Sequence, residues 1–334
     1  MKTRRLGANG PLISAIGYGA MSFTDFYGTT DEAQSHVILA AALDEGVTHI
    51  DTSNVYGPHR SEAVIGSFLA RQGNQRGDLF SIATKAGITK DPDTGARVYD
   101  NSAAHLEAEL DGSLKRLGVD RVDLFYVHRR DAATPIEEVT ETLAGLIRKG
   151  KIGGFGYSEI APSSLRRAHA VHPVMAVQSE YSLAVRYPEL GLVQATAELG
   201  TALVAFSPVG RSLLTDKPHS PEKAVELPFL KVNPRFQEPN LSANIAAGEG
   251  FRRLAADMGT SAAALAIAWL LHQGEHVIPI PGTRSPEHLR QHCEGARLDL
   301  DTAALAAIEE ALPVGWAHGD RYSLAQWDGP ERYC

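Results

Sequence analysis

Residues 121–157 read RVDLFYVHRRDAATPIEEVTETLAGLIRKGKIGGFGY and contain one complete structural unit of the chain. Short apolar and β-branched runs at the two ends, residues 121–127 and 151–157, predict strands. Residues 135–149 between them have a helical pattern with proline in the first turn. Two strands joined by a helix are typical of a parallel sheet, so this stretch predicts a β-α-β unit.

The same alternation extends from residue 16 almost to the end of the chain. The other predicted strands are residues 16–20, 47–52, 79–84, 175–178, 202–206 and 277–280. Further helices are predicted at residues 31–45, 61–71, 102–117 and 162–170. Because no linker-like stretch divides these repeats, they predict an α/β fold in which residues 1–334 form a single (β/α)₈ TIM-barrel domain.

Two segments lie outside the repeat. Ala8-Asn9-Gly10 separates TRRLG from PLIS, and Asn-Gly between short strands predicts an N-terminal β-hairpin, which we expect to plug the bottom of the barrel. Residues 211–243 follow strand seven, contain five prolines and show little periodicity. Such a long loop predicts a lid over the barrel mouth. The aromatic tail with Trp316, Tyr322 and Trp327 either leans over that mouth or packs on a helix.

Composition narrows the class of protein. The net charge is −8, from 32 basic and 40 acidic residues without a basic block, so nucleic acid is not an expected partner. Cys293 and Cys334 form no C-x-x-C pair, which favours a reducing compartment and no metal site. The apolar run 262–271 is too short to span a membrane, and no signal peptide precedes the repeats. We therefore expect a cytoplasmic protein without a membrane partner, whose oligomeric state is open.

Asp51, Lys85 and His128 stand at the carboxyl ends of three successive predicted strands, and Tyr56 lies in the loop after the first of them. Each alone has a structural explanation, such as a salt bridge, loop packing or a core histidine. Active sites of such barrels form at this rim, however, so the combination predicts a catalytic site. The four groups suit reduction of a carbonyl by a hydride donor.

In that reaction the carbonyl oxygen gains negative charge and then a proton. A phenol with a pKa of about 10 can supply the proton near neutral pH if a neighbour stabilises the phenolate. The ammonium of Lys85, held by Asp51, would do this for Tyr56. Neutral His128 would donate a hydrogen bond to the carbonyl oxygen.

The sequence resembles the aldo-keto reductase superfamily over essentially its whole length. The matching motifs are DTSNVYG at 51–57, ATK ending at Lys85, VHRRD at 127–131, VQSEYS at 177–182, SPVGR at 207–211 and IPGTRSPEHL at 280–289. The resemblance implies a catalytic tetrad of Asp51, Tyr56, Lys85 and His128. It also implies a small-molecule aldehyde or ketone as substrate.

The resemblance further implies NADPH as cofactor, and the chain lacks a Rossmann G-x-G-x-x-G motif after Gly154-Phe155-Gly156. The implied carboxamide contacts are Ser158, Glu159 and Gln178, and the implied ring-stacking residue is Phe206, which could equally be apolar strand filling. The pyrophosphate contacts would be Ser207, Pro208, Val209 and Arg211. The adenosine-phosphate pocket would be Gly282, Thr283, Arg284, Gln291 and His292. Many members have Asn where Glu159 stands, and a carboxylate cannot donate to a carboxamide.

Arg284 is expected to bind the 2′-phosphate of NADPH at a helix N-terminus, although an exposed arginine without a ligand is the alternative. Phe23, Phe26 and Tyr27 are expected to line an apolar substrate pocket, whose substrate the sequence does not identify. Two other functions fit the same barrel. One is a Schiff-base lyase using Lys85, and the other is a cofactor-sensing binding protein.

Overall fold

The first and last strands of the central sheet are joined by backbone hydrogen bonds, from Gly17 N to Pro279 O at 2.9 Å and from Gly19 N to Pro281 O at 3.1 Å. These bonds close the sheet into a barrel in this computed structural model, which describes residues 1–73 and 79–333. In that part of the chain the sheet has eight strands, all parallel. The predicted (β/α)₈ barrel is therefore confirmed.

The strands, in chain order, are β1 (Thr3–Arg5), β2 (Leu12–Ser14), β3 (Tyr18–Gly19), β4 (His49–Asp51), β5 (Ser81–Ala86), β6 (Ile88–Lys90), β7 (Arg97–Tyr99), β8 (Val122–Val127), β9 (Ile152–Ser158), β10 (Ala176–Glu180), β11 (Ala202–Phe206) and β12 (Val277–Pro279). The barrel has the order β3-β4-β5-β8-β9-β10-β11-β12. Each of the predicted barrel strands overlaps one of these eight.

The helices are α1 (Glu32–Asp44), α2 (Arg60–Arg71), α3 (Ala103–Leu117), α4 (Ile136–Arg148), α5 (Pro162–Val171), α6 (Leu192–Leu199), α7 (Pro221–Glu226), α8 (Pro228–Lys231), α9 (Asn240–Ala247), α10 (Glu249–Asp257), α11 (Ala262–His272), α12 (Pro286–Gly295) and α13 (Thr302–Ala311). The predicted helices up to α5 agree with the observed ones to within one residue at each end. Polar caps explain part of this accuracy, because the side chains of Asp31 and Ser102 accept hydrogen bonds from backbone N–H groups in the first turns of α1 and α3.

The core has two layers, which follow from the alternation of side chains along each strand. On β8, Leu124 and Tyr126 belong to the cluster inside the barrel, whereas Phe125 and Val127 pack outward against the helices. Leu6 and Ile13 of the N-terminal hairpin join the inner cluster. The hairpin therefore fills one end of the barrel, as predicted.

The turn of this hairpin differs from the expected Asn-Gly turn. Its strands end at Arg5 and resume at Leu12, so the loop is longer than two residues. Leu6 N donates to Pro11 O at 2.9 Å. Gly7 has a φ of +74°, and a Cβ there would lie 2.4 Å from Met175 O. The close approach to the barrel strand, which sequence alone does not show, therefore requires glycine at this position.

The proline-rich segment after β11 is mostly helical, contrary to the irregular loop that we predicted. It contains α7, α8, a 3₁₀ turn at Pro234–Phe236 and the start of α9, with proline in the first turn of the first three. Its apolar residues form a small core of their own: Leu213, Ala224, Leu227, Leu230, Phe236 and Leu241. Helices of this length are too short to show a clear period in the sequence.

A second hairpin, β6 with β7, extends from the carboxyl end of β5 and was not predicted. Its turn is built on Asp91, whose Oδ1 accepts hydrogen bonds from the N–H groups of Asp93 and Thr94. The sequence signal was present, because Asp-Thr-Gly at residues 93–95 lies between two short runs compatible with strands.

Among residues 1–73 and 79–333, no single helix is long and apolar enough to cross a membrane, although the bent pair Asn240–Asp257 and Ala262–His272 together would satisfy length and composition. The same residues contain no cluster of side chains suited to a metal ion. Cys293 is buried and free, and Cys334 lies outside the described residues.

Candidate active site

Lys85 is the centre of the polar cluster at the barrel mouth. It lies near the end of β5 with 0% of its surface exposed. Its ammonium donates to Asp51 Oδ1, to the backbone oxygen of Thr52 at 2.8 Å and to the Tyr56 hydroxyl at 3.3 Å. Three of the four residues predicted from strand ends are therefore in direct contact.

His128 completes the group. Its ring centroid lies 5.8 Å from that of Tyr56, nearly perpendicular to it. The Nδ1 atom of His128 is 3.2 Å from the Ser53 hydroxyl, so the loop after β4 orients the imidazole. That loop is itself anchored, because Asn54 Nδ2 donates to Glu109 Oε2 on α3 at 2.7 Å. All four predicted catalytic residues thus meet at one point.

Burial and charge set the protonation of this group. Burial raises the pKa of the Tyr56 phenol, and the charge of Lys85 opposes part of that rise. Burial lowers the pKa of the Lys85 ammonium, but its interactions with Asp51 and Tyr56 together outweigh the effect of burial and the net pKa is raised. Burial, followed by the charges of Arg129 and Lys85, holds the pKa of His128 well below its ordinary value. The site therefore contains a phenol, an ammonium and a neutral imidazole near pH 7.

The residues predicted to contact a carboxamide lie next to this group, but they have protein partners. Gln178 Nε2 donates to Asp51 Oδ2 at 2.7 Å. The Ser158 hydroxyl accepts from Arg129 Nη1 at 2.9 Å. Gln178 and Ser158 therefore each have a protein partner besides any cofactor.

Glu159 is buried and its carboxylate is fully engaged. It accepts from the Ser179 hydroxyl at 3.0 Å, from Glu180 N at 2.8 Å and from Arg321 Nη2. Burial raises the pKa of Glu159, but the charges of Arg321 and Arg129 together with the hydrogen bonds from Arg321 and Glu180 N outweigh it, so the net pKa is lowered. The carboxylate that departs from the family pattern is thus paired within the protein.

Arg321 was missed by the sequence analysis because it lies in the C-terminal tail, far along the chain from its partners. It pairs with both Glu159 and Glu180, which lie at the ends of β9 and β10. Its guanidinium also lies 4.5 Å from the ring centroid of Tyr322 and 4.7 Å from that of Trp327. This part of the tail therefore leans over the barrel mouth, which resolves the two alternatives for Tyr322 and Trp327.

Arg211 links three elements above the mouth. It donates to the Tyr27 hydroxyl at 2.9 Å and to Glu180 at 3.2 Å, and its guanidinium lies 4.6 Å from the ring centroid of Phe229. The backbone around it is strained, because Ser207 and Arg211 have φ values of +52° and +53°. The neighbouring predicted contacts, Phe206 and Val209, are partly buried against the core.

The loop after β12 contacts the loop after β3. Arg284 donates to the backbone oxygens of Tyr27 and Thr29, each at 2.7 Å. A Cβ on Gly282 would lie 2.5 Å from Gly19 O, so only glycine fits there. Thr283 Oγ1 accepts from Ser285 N at 3.1 Å at the start of α12. Arg284 thus has a structural partner in addition to any ligand.

The two α12 residues of the predicted adenosine pocket differ in exposure. Gln291 is half-buried. His292 is 3% exposed, its Nδ1 has no hydrogen-bond partner in the described chain, and burial lowers its pKa to about 3. We therefore leave His292 out of the set of cofactor contacts proposed below.

The aromatic residues predicted to line the substrate pocket lie in different environments. Phe23 is 1% exposed and stacks on Tyr18 within the core, so the prediction that it lines the pocket is wrong. Phe26 lies at the rim, with its ring centroid 4.8 Å from Tyr27 and 5.0 Å from Phe229. Phe229 belongs to α8, so the segment predicted as a lid does contact the loop after β3.

Comparison with known proteins identifies the family of the chain. The family model for the aldo/keto reductase family matches residues 15–313. The chain is 36% identical over 323 residues to the aldo-keto reductase yakc [NADP(+)] of Schizosaccharomyces pombe, covering 96% of this chain and 94% of that protein. It is also 36% identical over 319 residues to the probable aldo-keto reductase 1 of Glycine max, covering 95% of this chain and 91% of that protein.

Two solved structures resemble this chain over nearly its whole length. A glycerol dehydrogenase from Gluconobacter oxydans superimposes with a TM-score of 0.81 at 28% identity, covering 93% of this chain and 94% of that one. An aldo-keto reductase from Bacillus halodurans has the same fold, with a TM-score of 0.78 at 23% identity, and covers 98% of this chain and 99% of that one. The chain therefore belongs to the aldo/keto reductase family of oxidoreductases, which act on carbonyl compounds.

Proposed function

We propose that the protein reduces aldehydes or ketones to alcohols with NADPH, and that Tyr56 is the general acid. The observation that carries this proposal is the position of the Lys85 ammonium, buried between the Asp51 carboxylate and the Tyr56 hydroxyl. A charged lysine that touches a phenol has one clear chemical effect, which is to stabilise the phenolate left after proton donation.

The residues around the mouth fit a nicotinamide dinucleotide phosphate, which supplies hydride when bound. Arg284 and the N-terminus of α12 form a cationic end suited to a phosphate. Gly282 leaves room for the close approach of the two backbones that frame this end. The similarity to yakc [NADP(+)] supports NADPH as the cofactor. The proposed contacts are Ser158, Gln178, Phe206, Ser207, Pro208, Val209, Arg211, Gly282, Thr283, Arg284 and Gln291.

The four tetrad residues have different proposed roles in protonating the carbonyl oxygen. In the tautomer in which Nδ1 of His128 accepts from Ser53, Nε2 carries the ring proton and can donate to that oxygen. The Tyr56 hydroxyl supplies the proton that converts the oxygen to an alcohol. Lys85 lowers the cost of this transfer, and Asp51 keeps Lys85 charged. His128 stays neutral throughout, so it directs the oxygen without competing as a proton donor.

The Schiff-base alternative has less support. An imine-forming lysine needs a neutral amine, but Asp51 raises the pKa of Lys85 and three acceptors surround its ammonium. A protein with a purely cofactor-sensing role would bind NADPH without turning over a carbonyl substrate.

The test is a screen of aldehydes and ketones that follows NADPH absorbance with the purified protein. We expect steady-state oxidation of NADPH that depends on both the carbonyl compound and the enzyme concentration. Tight NADPH binding without turnover of any carbonyl in the screen would support the sensing role instead. Substrate trapped on Lys85 by borohydride would support the lyase.

A further inference from the structure

Arg129 directly follows His128 and is buried at the barrel mouth, with 9% of its surface exposed. Both hydrogen bonds of the Arg129 side chain are donated by Nη1, to the His128 backbone oxygen at 2.6 Å and to the Ser158 hydroxyl at 2.9 Å. Nε is buried without a partner, and Nη2 makes no hydrogen bond to a described residue. The edge of the guanidinium formed by Nε and Nη2 is therefore unused.

Three other arginines at this rim pair with a carboxylate, whereas Arg235 donates to the backbone oxygens of Ala184 and Gly319. Arg130 pairs with Glu331 at 2.8 Å, Arg211 with Glu180 at 3.2 Å, and Arg321 with Glu159 and Glu180. Arg129 makes no salt bridge with any carboxylate in the described chain. A buried cation without an anionic partner is costly, so this arrangement favours an anion that arrives with a ligand.

The position of Arg129 identifies which ligand could bring that anion. His128 and Ser158 follow or end β8 and β9, which are adjacent parallel strands. The guanidinium that bridges them lies beside the imidazole that is proposed to hold the carbonyl oxygen. The charged groups that shift the pKa of His128 are Arg129, Lys85 and Arg97, and all three are cations. Lys85 is paired with Asp51, so of the buried cations acting on His128 it is Arg129 that has no carboxylate partner in the described chain.

We propose that Arg129 is a specificity-determining residue that binds a carboxylate of the substrate, so that the preferred substrates are aldehydes or ketones that also carry a carboxylate. This inference rests on the proposed carbonyl reduction and adds a substrate class to it. The Nε and Nη2 donors of arginine match the two oxygens of a carboxylate, which gives a bidentate contact. A neutral carbonyl compound would leave that edge unpaired.

The experiment compares matched pairs of acid and ester, 4-formylbenzoate with its methyl ester and 3-formylbenzoate with its methyl ester. For at least one pair, we expect the wild-type kcat/KM to favour the acid by about tenfold or more, the scale of one charge-assisted contact. In Arg129→Gln we expect the acid-to-ester ratio of kcat/KM to fall to about one, through a higher KM for the acid. Arg167→Gln removes an exposed charge on α5 and should keep the wild-type ratio.

Three outcomes would overturn the inference. The first is a wild-type preference for neither acid over its ester. The second is an Arg129→Gln variant that loses acid and ester activity equally, which would assign Arg129 to the cofactor or to the fold. The third outcome applies if Arg129→Gln does not fold, and it is an Arg129→Lys variant with an unchanged acid-to-ester ratio. Lysine keeps the charge but lacks the paired N–H donors of the guanidinium. Failure to reduce any of the four compounds and any compound of the general screen would instead refute the proposed reductase function.

Discussion

Gln178 on β10 donates a 2.7 Å hydrogen bond to the oxygen of Asp51 that Lys85 does not use. The two oxygens of one carboxylate are thus held from different strands, Oδ1 by Lys85 of β5 and Oδ2 by Gln178. The resemblance to known reductases assigned Gln178 to the cofactor carboxamide. The structure shows that its amide nitrogen orients the Asp51 carboxylate as well.

Replacing Gln178 tests this second role. Gln178→Leu leaves a buried carboxylate oxygen without a donor, so we expect the free energy of unfolding to fall by about 1–3 kcal/mol. Urea denaturation without cofactor measures this. Gln194→Leu, on the surface of α6, is the control and should change it by less than about 0.5 kcal/mol. Equal stability of Gln178→Leu and wild type would show that the bond contributes nothing.

Replacing Tyr56 tests the proposed acid. Tyr56→Phe keeps the ring and removes the proton, so we expect kcat for carbonyl reduction to fall more than about tenfold while NADPH affinity stays nearly unchanged. Tyr99→Phe, which removes only the hydroxyl that donates to Asp328 O, should remain active. A Tyr56→Phe enzyme with more than about a tenth of wild-type kcat would contradict the assignment.

Arg284 tests how the cofactor is selected. NADPH carries a 2′-phosphate that NADH lacks, so Arg284→Ala should weaken NADPH binding by about 2 kcal/mol and leave NADH nearly untouched. Titration of both cofactors into both proteins measures this difference. Arg284 also donates to the backbone oxygens of Tyr27 and Thr29, so a purely structural role would weaken the binding of both cofactors alike. Equal weakening of NADPH and NADH binding would mean that Arg284 stabilises the loop and does not bind the 2′-phosphate.

His292 predicts how stability depends on pH. Its folded pKa of about 3 lies below the ordinary value of 6.5, so between these pH values the unfolded chain binds more protons and stability falls as pH falls. From pH 7.5 to pH 5, His292 should account for about 2 kcal/mol of lost stability. Comparing wild type with His292→Asn by urea denaturation at both pH values measures it. The same pH dependence in both proteins would contradict the assignment.

The barrel and the tetrad followed from the sequence because both depend on local patterns. Strand and helix periods fix the repeat, and a parallel barrel brings all strand ends to one rim, so Asp51, Lys85 and His128 had to meet. The burial of His292 also had a sequence signal, because it lies three residues after Leu289 on the apolar stripe of α12.

The partners of Glu159 could not be predicted in this way. Arg321 lies 162 residues farther along the chain, and no period or turn signal connects the two positions. The unused edge of Arg129 was equally hidden, because it depends on which neighbouring carboxylates are already paired with other arginines. Such features belong to the packing of loops, whose side-chain contacts the sequence pattern does not determine.

The contacts of Arg321 with Glu159 and Glu180 bear on the order of events during synthesis. Every strand of the barrel is made before residue 321 leaves the ribosome, so the nascent barrel first encounters these two carboxylates without one of their cations. The barrel mouth therefore acquires its final electrostatics only when the C-terminal tail docks, and a chain that stops before Arg321 would lack a cation that pairs with both carboxylates.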